Sequence, residues 1–447
     1  MSRNFLDFAK TGLQKARQLG ADSAELFIVK NRSLEVEMKE GSLDEIKQSD
    51  SQGVGMRIIK GQRQGFSFSS DFRSTALDKM VVQAIANSKY NDAEPLLQFP
   101  RQSRQYPKLN LYDAMIGQST MDAKLELAQE TARQAQQWDE RVQRIERSGY
   151  EEGDVEMWLA NSHGVCLHQK GSYCGLFCLA LGEKDGEQQS GYGMDSSLAI
   201  QELSPEKAGR MAAQRAVQLL GAASVASGVM DVILEPMIAA QIFGIISSCF
   251  SGEAVQKQRS FFAGRLGQKV ASSDITLIDD GTLPGRLGSA AFDGEGVATQ
   301  RTVLLKDGYL QQYLYDSLSA AKANTHSTGN GVRGSYKGVP HVGTTNYYLA
   351  AGKESPQDLV AAVEKGIYVT EIMGAHTANA VSGDFSFGAS GILIEHGQFI
   401  RPIRGVTIAG NFQELLQKIS GVGDDLTFFG GQGAPTVRVA DIAVSGM

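Results

Sequence analysis

The stretch VILEPMIAAQIFGIISSCF, residues 232–250, changes abruptly from a strand pattern to a helix pattern. Its first three residues are apolar and two of them are β-branched, which is typical of a buried strand. Pro236 suits the first position of a helix, because the backbone N–H that proline lacks has no helical partner there. The residues that follow are apolar on almost every side, which indicates a helix inside a domain. The reactive side chains on this predicted helix are limited to Ser247, Ser248 and Cys249.

Composition limits the classes of protein to consider. The 447 residues carry a net charge of −7, with acidic and basic residues mixed and no run of Lys and Arg, so we expect no nucleic-acid partner. The 50 glycines and 42% apolar residues indicate a folded chain with many tight turns. No apolar run approaches the roughly 20 residues that span a bilayer, and the N-terminus lacks a signal-peptide pattern. We therefore expect a cytoplasmic protein that does not contact membranes, with its four cysteines reduced.

The chain divides into segments of different character. Residues 1–90 are predicted as an α/β module of helix, strands and helix, and residues 91–118 as a connector. Residues 119–220 repeat the helix–strands–helix plan as a second α/β module, and the small residues of 221–228 suggest a hinge. Short strands and Gly-rich turns dominate residues 229–447, which predicts a large β-rich C-terminal domain. The predicted fold class is therefore α+β.

Three local features make specific predictions. AELFIVK and SLEVEMK alternate as two strands around a turn at Asn31-Arg32, and two later strands are joined near Lys170-Gly171. Ser204 is predicted to cap a helix that has Pro205 at its first position.

Two motifs resemble cofactor or metal sites. GNGVRG, residues 329–334, matches a dinucleotide-binding pattern, but no strand precedes it and no helix follows it, which favours a Gly-rich loop. Five residues on two probable strands suggest zinc, although their spacing is not that of a zinc finger and free cysteine is common in cores. Whether they share one face depends on the length of the hairpin loop that joins the strands. They are His163, Cys166, His168, Cys174 and Cys178.

The segment TANAVSGDFSFGASG, residues 377–391, crowds small polar residues between two strand patterns. It is either a tight β-connection or a loop that approaches a ligand closely. On the second interpretation, the candidate substrate-binding residues are Asn379, Ser382, Asp384 and Ser386. Lone histidines in this domain are candidate catalytic residues, although such residues more often make ordinary hydrogen bonds. They are His326, His341, His376 and His396.

Several stretches resemble the PmbA/TldD family, and specifically its PmbA, or TldE-type, branch. They are RSFFAGRLGQKVAS (259–272), DDGTLPGRLGSAAFDGEGVATQRTVLLKDGYLQQYLYD (279–316), GTTNYYLAAG (343–352), TEIMGAHTANAVSGDFSFGASGILIEHG (370–397) and GVTIAGNFQELLQKI (405–419). The resemblance implies an α/β N-terminal region, a β-rich C-terminal domain and a dimer that encloses a cavity. It also implies a TldD/TldE metalloprotease system for unfolded or flexible peptides, which trims antibiotic leaders and degrades an antitoxin. An older family label is modulator of DNA gyrase.

The TldD branch carries His-Glu-x-x-x-His on the helix after the strand, and a cysteine near the C-terminus completes its metal site. Counted from Pro236, the first His, the Glu and the second His fall on Gly244, Ile245 and Cys249, and the C-terminal ligand falls near Gly423. An apolar side chain cannot activate water, and one cysteine cannot hold a metal. We therefore predict no catalytic residues and no metal in this chain.

The leading hypothesis is a metal-free subunit that joins a TldD-type partner, which would hold the metal, zinc by resemblance. A second hypothesis is a stand-alone homodimer that binds peptides without cleaving them. A third is a hydrolase built on Asp384, Ser386 and His376. Whether the chain is itself an enzyme stays open at this point.

Overall fold

The computed structural model describes residues 5–446, and the predicted α+β class is confirmed. The helices are α1 Phe5–Gln18, α2 Ser74–Ser88, α3 Ala114–Gln118, α4 Met121–Trp138, α5 Pro205–Val217, α6 Pro236–Ile246, α7 Gly252–Gln256, α8 Ser317–Lys322, α9 Pro356–Ala361 and α10 Phe412–Lys418. Short 3₁₀ turns cover Ile200–Glu202, Ser247–Phe250 and Ala375–Thr377. Within residues 5–446, no helix has the length and hydropathy needed to cross a membrane.

The strands lie in groups between these helices. They are β1 Ser23–Lys39, β2 Ser42–Lys60, β3 Arg63–Ser69, β4 Val142–Asn161, β5 Cys166–Lys184, β6 Glu187–Ser197, β7 Gly228–Leu234, β8 Leu277–Asp280, β9 Arg301–Lys306, β10 Tyr309–Leu310, β11 Gly331–Val332, β12 His341–Val342, β13 Tyr347–Leu349, β14 Lys365–Met373, β15 Asp384–Glu395, β16 Gln398–Asn411, β17 Ile419–Val422, β18 Thr427–Phe429, β19 Gln432–Ala434 and β20 Val437–Ser445.

The two N-terminal modules share one antiparallel sheet in the order β3-β2-β1-β4-β5-β6. Strands β1 and β4 form the central pair, with Val36 opposite Tyr150. Helices α1 and α2 pack on the first three strands, and α4 and α5 pack on the last three. Their apolar contacts all lie on one side of the sheet, since Leu26, Ile28 and Cys178 alternate with side chains that point away. The opposite side is hereafter the helix-free face. The division of the chain at residues 90, 118 and 220 stays a prediction.

Two predicted turns are wrong, because the strands run straight through them. In β1, Asn31 pairs with Ser51 on one side and Val155 on the other. In β5, Lys170 pairs with Glu156. Asn31 and Arg32 are exposed polar residues, and Lys170 and Gly171 are a half-buried lysine and a glycine, so both dipeptides imitate a turn within a long strand. The predicted cap at Ser204 is confirmed, because its hydroxyl accepts a hydrogen bond from the Lys207 backbone N–H.

The C-terminal domain contains a small barrel and a second sheet. Strands β7, β14, β15, β16 and β20 close the barrel, because β16 pairs with β20, and β17 adds to β20. The second sheet has the order β10-β9-β8-β13-β19-β18. Helix α6 contacts β14 on one side and β13, β18 and β19 on the other, so it lies between the two sheets. The apolar helix therefore occupies the centre of the domain, as its sequence predicts.

Part of the helix-free face is covered by the C-terminal domain. Phe27 and Leu159 pack against Phe292 there. The guanidinium of Arg333 pairs with buried Glu25 and lies 4.7 Å from the ring centre of Phe27. We call this region, which also contains the pair between Arg57 and Glu295, the covered half.

The predicted hinge is fixed along its length. The Arg401 guanidinium donates a hydrogen bond to the Ser224 carbonyl at 2.9 Å. The hydroxyl of Ser227 donates to the Gly446 carbonyl at 2.9 Å, and the Gly446 N–H donates back to the same hydroxyl oxygen. Residues 221–228 thus follow the surface of the C-terminal domain and do not span an open gap.

Candidate functional site

Helix α6 begins at a partly buried charged pair. Glu235 is its N-cap residue, and its carboxylate accepts a hydrogen bond from Arg215 of α5 at 3.0 Å. Burial raises the pKa of Glu235 to about 7, against the opposing effect of Arg215, and nearby Glu371 raises it further. A cavity of about 520 Å³ lies beside this pair, between α5 and the start of α6. This end of the helix is accessible, whereas the positions that correspond to the TldD motif lie at the other end.

The residues at the positions of the TldD motif make packing contacts. The side chain of Gln432 on β19 occupies the space beside Gly244, and a Cβ there would lie 2.6 Å from its amide. Ile245 packs against the main apolar cluster of the domain. After Ile246 the chain tightens into a 3₁₀ turn that carries Cys249.

Cys249 is buried, and its thiol donates a hydrogen bond to the Ala380 carbonyl at 3.1 Å. Burial raises the pKa of this thiol to about 12, so it stays protonated at neutral pH. Gly423 is also enclosed, since its N–H donates to the Thr436 carbonyl at 2.8 Å. Gly244, Ile245 and Gly423 supply no ligand atoms from their side chains, so this set of residues does not fit a metal ion.

Within residues 5–446, no three His, Cys, Asp or Glu side chains converge as a metal site. The prediction of a chain without metal therefore rests on the residue types at the motif positions. It stays a prediction.

The segment 377–391 folds into a tight turn and the start of β15. The Asn379 side chain accepts hydrogen bonds from the N–H groups of Val381 and Ser382. The Ser382 hydroxyl donates to Asp384 at 2.7 Å, and the Asn411 amide donates to the same carboxylate at 2.9 Å. These hydrogen bonds lower the pKa of Asp384 below its usual range. The structure thus brings Asn379, Ser382 and Asp384 together at the surface, and Cys249 contacts the same turn through Ala380.

The hydrolase hypothesis gains no support from this geometry. The Asp384 carboxylate is taken by Ser382 and Asn411, and no hydrogen bond among residues 5–446 joins Ser386 to His376. The four histidines of the domain are all exposed. The ring of His396 contacts Glu364 at 2.6 Å, which is a surface pair. A nucleophile needs a base within hydrogen-bond reach, and Ser386 has none here.

The zinc hypothesis assumes a hairpin near Lys170-Gly171, but the structure has one continuous strand there. Because β5 is continuous, Cys166, His168, Cys174 and Cys178 all lie on the same side of one strand, in a row. Residues eight positions apart in a strand are separated by about 26 Å, so the row does not converge on one ion. His168 instead stacks on Trp158 and contacts Glu156 at 2.8 Å, and the His163 ring contacts the Phe99 carbonyl.

The GNGVRG motif is a docking loop. It places Arg333 on Glu25 of the N-terminal sheet, and the ring of Tyr336 covers Gly53 on β2. Sequence reasoning identified this loop but missed its partner, since nothing in either segment indicates which strand the arginine reaches.

Comparison with protein families explains this architecture. Residues 24–88 match the model described as PmbA/TldA metallopeptidase domain 1, and residues 116–220 match its central domain. Residues 227–446 match the PmbA/TldA metallopeptidase C-terminal domain. The chain belongs to the PmbA/TldD family. The resemblance drawn from the sequence is thereby confirmed, and α6 lies in the C-terminal domain of this family.

Relatives from both branches of the PmbA/TldD family are about equally similar to this chain. The metalloprotease TldD homolog of Haemophilus influenzae is 28% identical and covers 90% of this chain and 86% of its own length. The metalloprotease PmbA of Escherichia coli O157:H7 is 27% identical and covers 91% and 88%. A Thermotoga maritima protein that carries the name modulator of a DNA gyrase has a crystal structure with a TM-score of 0.90, 26% identity, and coverage of 99% and 100%. Overall sequence identity therefore does not assign this chain to the TldD or the PmbA branch. That assignment depends on the residues at the motif positions.

Proposed function

We propose that this chain is the metal-free partner subunit of a TldD/TldE-type metalloprotease that cleaves unfolded or flexible peptides. The proposal rests on one observation above all. At the position of the second motif histidine, Cys249 is a buried thiol that donates a hydrogen bond to a backbone carbonyl. The residue types at the other positions, Gly244 and Ile245, agree with it.

The role of such a subunit is to complete a shared cavity and to hold extended peptide. Peptide-leader removal and antitoxin degradation are the substrate classes that the family resemblance suggests. We assign the metal, zinc by the same resemblance, to the TldD-type partner, and we place the assembly in the cytoplasm. The surface turn of Asn379, Ser382 and Asp384, with Ser386 next to it on β15, is our candidate contact with peptide near the partner's active site.

A mixing experiment tests the proposal. The purified chain should not cleave an unstructured protein such as reduced, carboxymethylated lactalbumin. Addition of a TldD-type chain from the same organism should give cleavage that a chelator abolishes and zinc restores. Replacement Cys249→Ala in this chain should leave the metal content and chelator sensitivity of the mixture unchanged, because its thiol donates to the Ala380 carbonyl and the other motif positions offer no ligand atoms.

Two results would contradict the proposal. Robust peptidase activity of this chain alone would show a catalytic site of its own. A stable homodimer that never co-purifies with a TldD-type chain, yet binds peptide, would favour the stand-alone binding protein. Size-exclusion chromatography of the two chains, separately and mixed, distinguishes these outcomes.

A further inference from the structure

The part of the helix-free face beyond the C-terminal domain is an open surface. Alternation along the strands places Glu35, Glu151 and Tyr173 on this side, together with Phe177 and Tyr192. The helix-side neighbours Ser148, Tyr150, Cys174 and Cys178 are all buried. Phe177 and Tyr173 are only half-buried, and Tyr192 is 47% exposed. We call this region the open half.

Two cavities on the open half share Glu151 as a lining residue. One, of about 510 Å³, lies between Tyr173 and Met194 of the sheet and residues 287–290 of the C-terminal domain. The other, of about 260 Å³, lies over Phe177 and Tyr192. Together they form a trough whose size is within the range of about 300–1,000 Å³ that is usual for ligand sites.

The floor of the trough is built from rings that lie over glycines. The Phe177 ring occupies the space above Gly149 on the neighbouring strand, and the Tyr173 ring occupies the space above Gly153. A side chain at either glycine would displace the ring. The arrangement leaves a smooth aromatic surface, which binds apolar side chains and the faces of cationic groups.

The charges in the trough are not balanced. Glu35 lies directly opposite Glu151 on the central strand pair, and like charges at such positions are unfavourable. No hydrogen bond or ion pair within residues 5–446 reaches either carboxylate. Lys47 of β2 lies opposite Glu35 on its other side and attracts it, and Arg147, which lines the smaller cavity, pairs with Glu37 at 3.7 Å. Carboxylates still outnumber cations among the residues that line this cavity, three to one. Burial, and then Glu35, raise the pKa of Glu151 above its usual range, as expected for a carboxylate without a partner.

We propose that the open half binds an extended peptide through a lysine or arginine side chain. The cationic group would lie between Glu35 and Glu151, and apolar residues on either side of it would pack on Tyr173, Phe177 and Tyr192. This inference rests on the proposed function, and it adds the class of peptide and the place where it binds. A trough in which carboxylates outnumber cations suits a narrow cationic segment better than the broad flat contact of a second subunit.

Peptide binding to the full chain alone tests the inference. A fluorescent unstructured peptide with a central lysine flanked by leucine and phenylalanine is titrated by anisotropy, beside the same peptide with glutamate at the centre. The lysine peptide should bind at least about tenfold more tightly, as expected for one hydrogen bond between charged groups. In Glu151→Gln and Glu35→Gln the ratio of the two dissociation constants should fall toward one.

The matched control is Glu126→Gln, which removes an exposed carboxylate from α4 on the other side of the sheet and should keep the full ratio. A third peptide, with serine in place of the apolar flanks, should bind more weakly in the wild type. Spermidine supplies the same cationic chemistry without a peptide, and it should compete only weakly.

Equal affinity for the lysine and glutamate peptides, or a ratio that survives both Glu→Gln changes, would overturn the inference. If spermidine bound as tightly as the lysine peptide, the site would recognise a cationic group alone, and the proposal of a peptide ligand would be wrong. A change in subunit assembly without any change in peptide affinity would instead mark the face as an interface. Because the assay involves no cleavage, a failure of the mixing experiment leaves its result unaffected, and the reverse also holds.

Discussion

The two halves of the helix-free face differ in how their charged side chains are paired. In the covered half, Glu25 accepts two hydrogen bonds from Arg57, at 3.0 and 3.2 Å, and is paired with Arg333 as well. In the open half, Glu35 and Glu151 face each other and neither forms an ion pair within residues 5–446, although Lys47 lies opposite Glu35 on β2. Strand β1 therefore carries a buried carboxylate that is paired with two arginines and, ten residues further along, a half-buried carboxylate without an ion pair.

The two halves of this one surface therefore differ in role: the covered half joins the two domains, and the open half is the proposed binding site. Buried charges are tolerated only when they are paired, and the covered half satisfies that rule through the C-terminal domain. In the open half Glu151 is exposed and Glu35 is half-buried, so both carboxylates keep part of their hydration. Without an internal ion pair, they remain available to a cationic ligand.

The largest effect should come from breaking the covered half. Arg333→Met leaves Glu25 buried with one partner fewer, and we expect a loss of about 3–5 kcal/mol of unfolding free energy. Arg404→Met is the matched control, because Arg404 also joins the two domains, at 2.7 Å from Glu187, but at the surface. Its unfolding midpoint in urea should stay near that of the wild type. Similar losses in the two variants would show that burial does not set the strength of these pairs.

A smaller effect should follow from Gly53→Ala. The new methyl group would overlap the Tyr336 ring and push the docking loop off β2, at a cost of about 1–3 kcal/mol. Gly117→Ala, where a Cβ meets open space, should not destabilise the protein. Differential scanning calorimetry of both variants measures the contrast, and an unchanged melting temperature for Gly53→Ala would place the ring elsewhere.

The smallest effect should come from Glu151→Gln in the open half. A carboxyl whose folded pKa is raised adds stability below its unfolded pKa of 4.5, and that contribution is lost as the pH rises through the folded pKa. Wild-type stability relative to the variant should therefore fall from pH 4.5 toward neutrality. At pH 7.5 the variant should be at least as stable, within about 0.5 kcal/mol, because the site is half-exposed.

Urea unfolding at pH 4.5 and 7.5 measures this trend, with Glu126→Gln as the variant that should show no such pH dependence. A marked loss of stability in Glu151→Gln at pH 7.5 would mean that the carboxylate has a partner inside the protein. The open half would then resemble the covered half.

Local patterns predicted the helices well. The apolar run after Pro236 and the cap at Ser204 are decided by neighbouring residues, so the sequence contains the information directly. The sequence also shows directly that Gly244 and Ile245 are not metal-ligand residue types. These features depend on short-range geometry and on residue chemistry.

Contacts between distant segments could not be predicted. The position of Glu35 opposite Glu151 depends on the register of two strands separated by over a hundred residues, which no local pattern fixes. The only signal in the sequence was SYCGLFCLALG, which is apolar on both faces where a strand covered on one side should alternate. This pattern of apolar residues on both faces indicates that β5 has a second contact surface.

The anchored segment 221–228 has a consequence for experiments on this protein. Ser224 and Ser227 are held by Arg401 and Gly446, and the Arg333 cluster joins the two domains independently of this segment. A protease that nicks the chain there should therefore give two fragments that elute together from a gel-filtration column. The nick would become visible only on a denaturing gel, so an apparently intact preparation is no proof of an uncut chain.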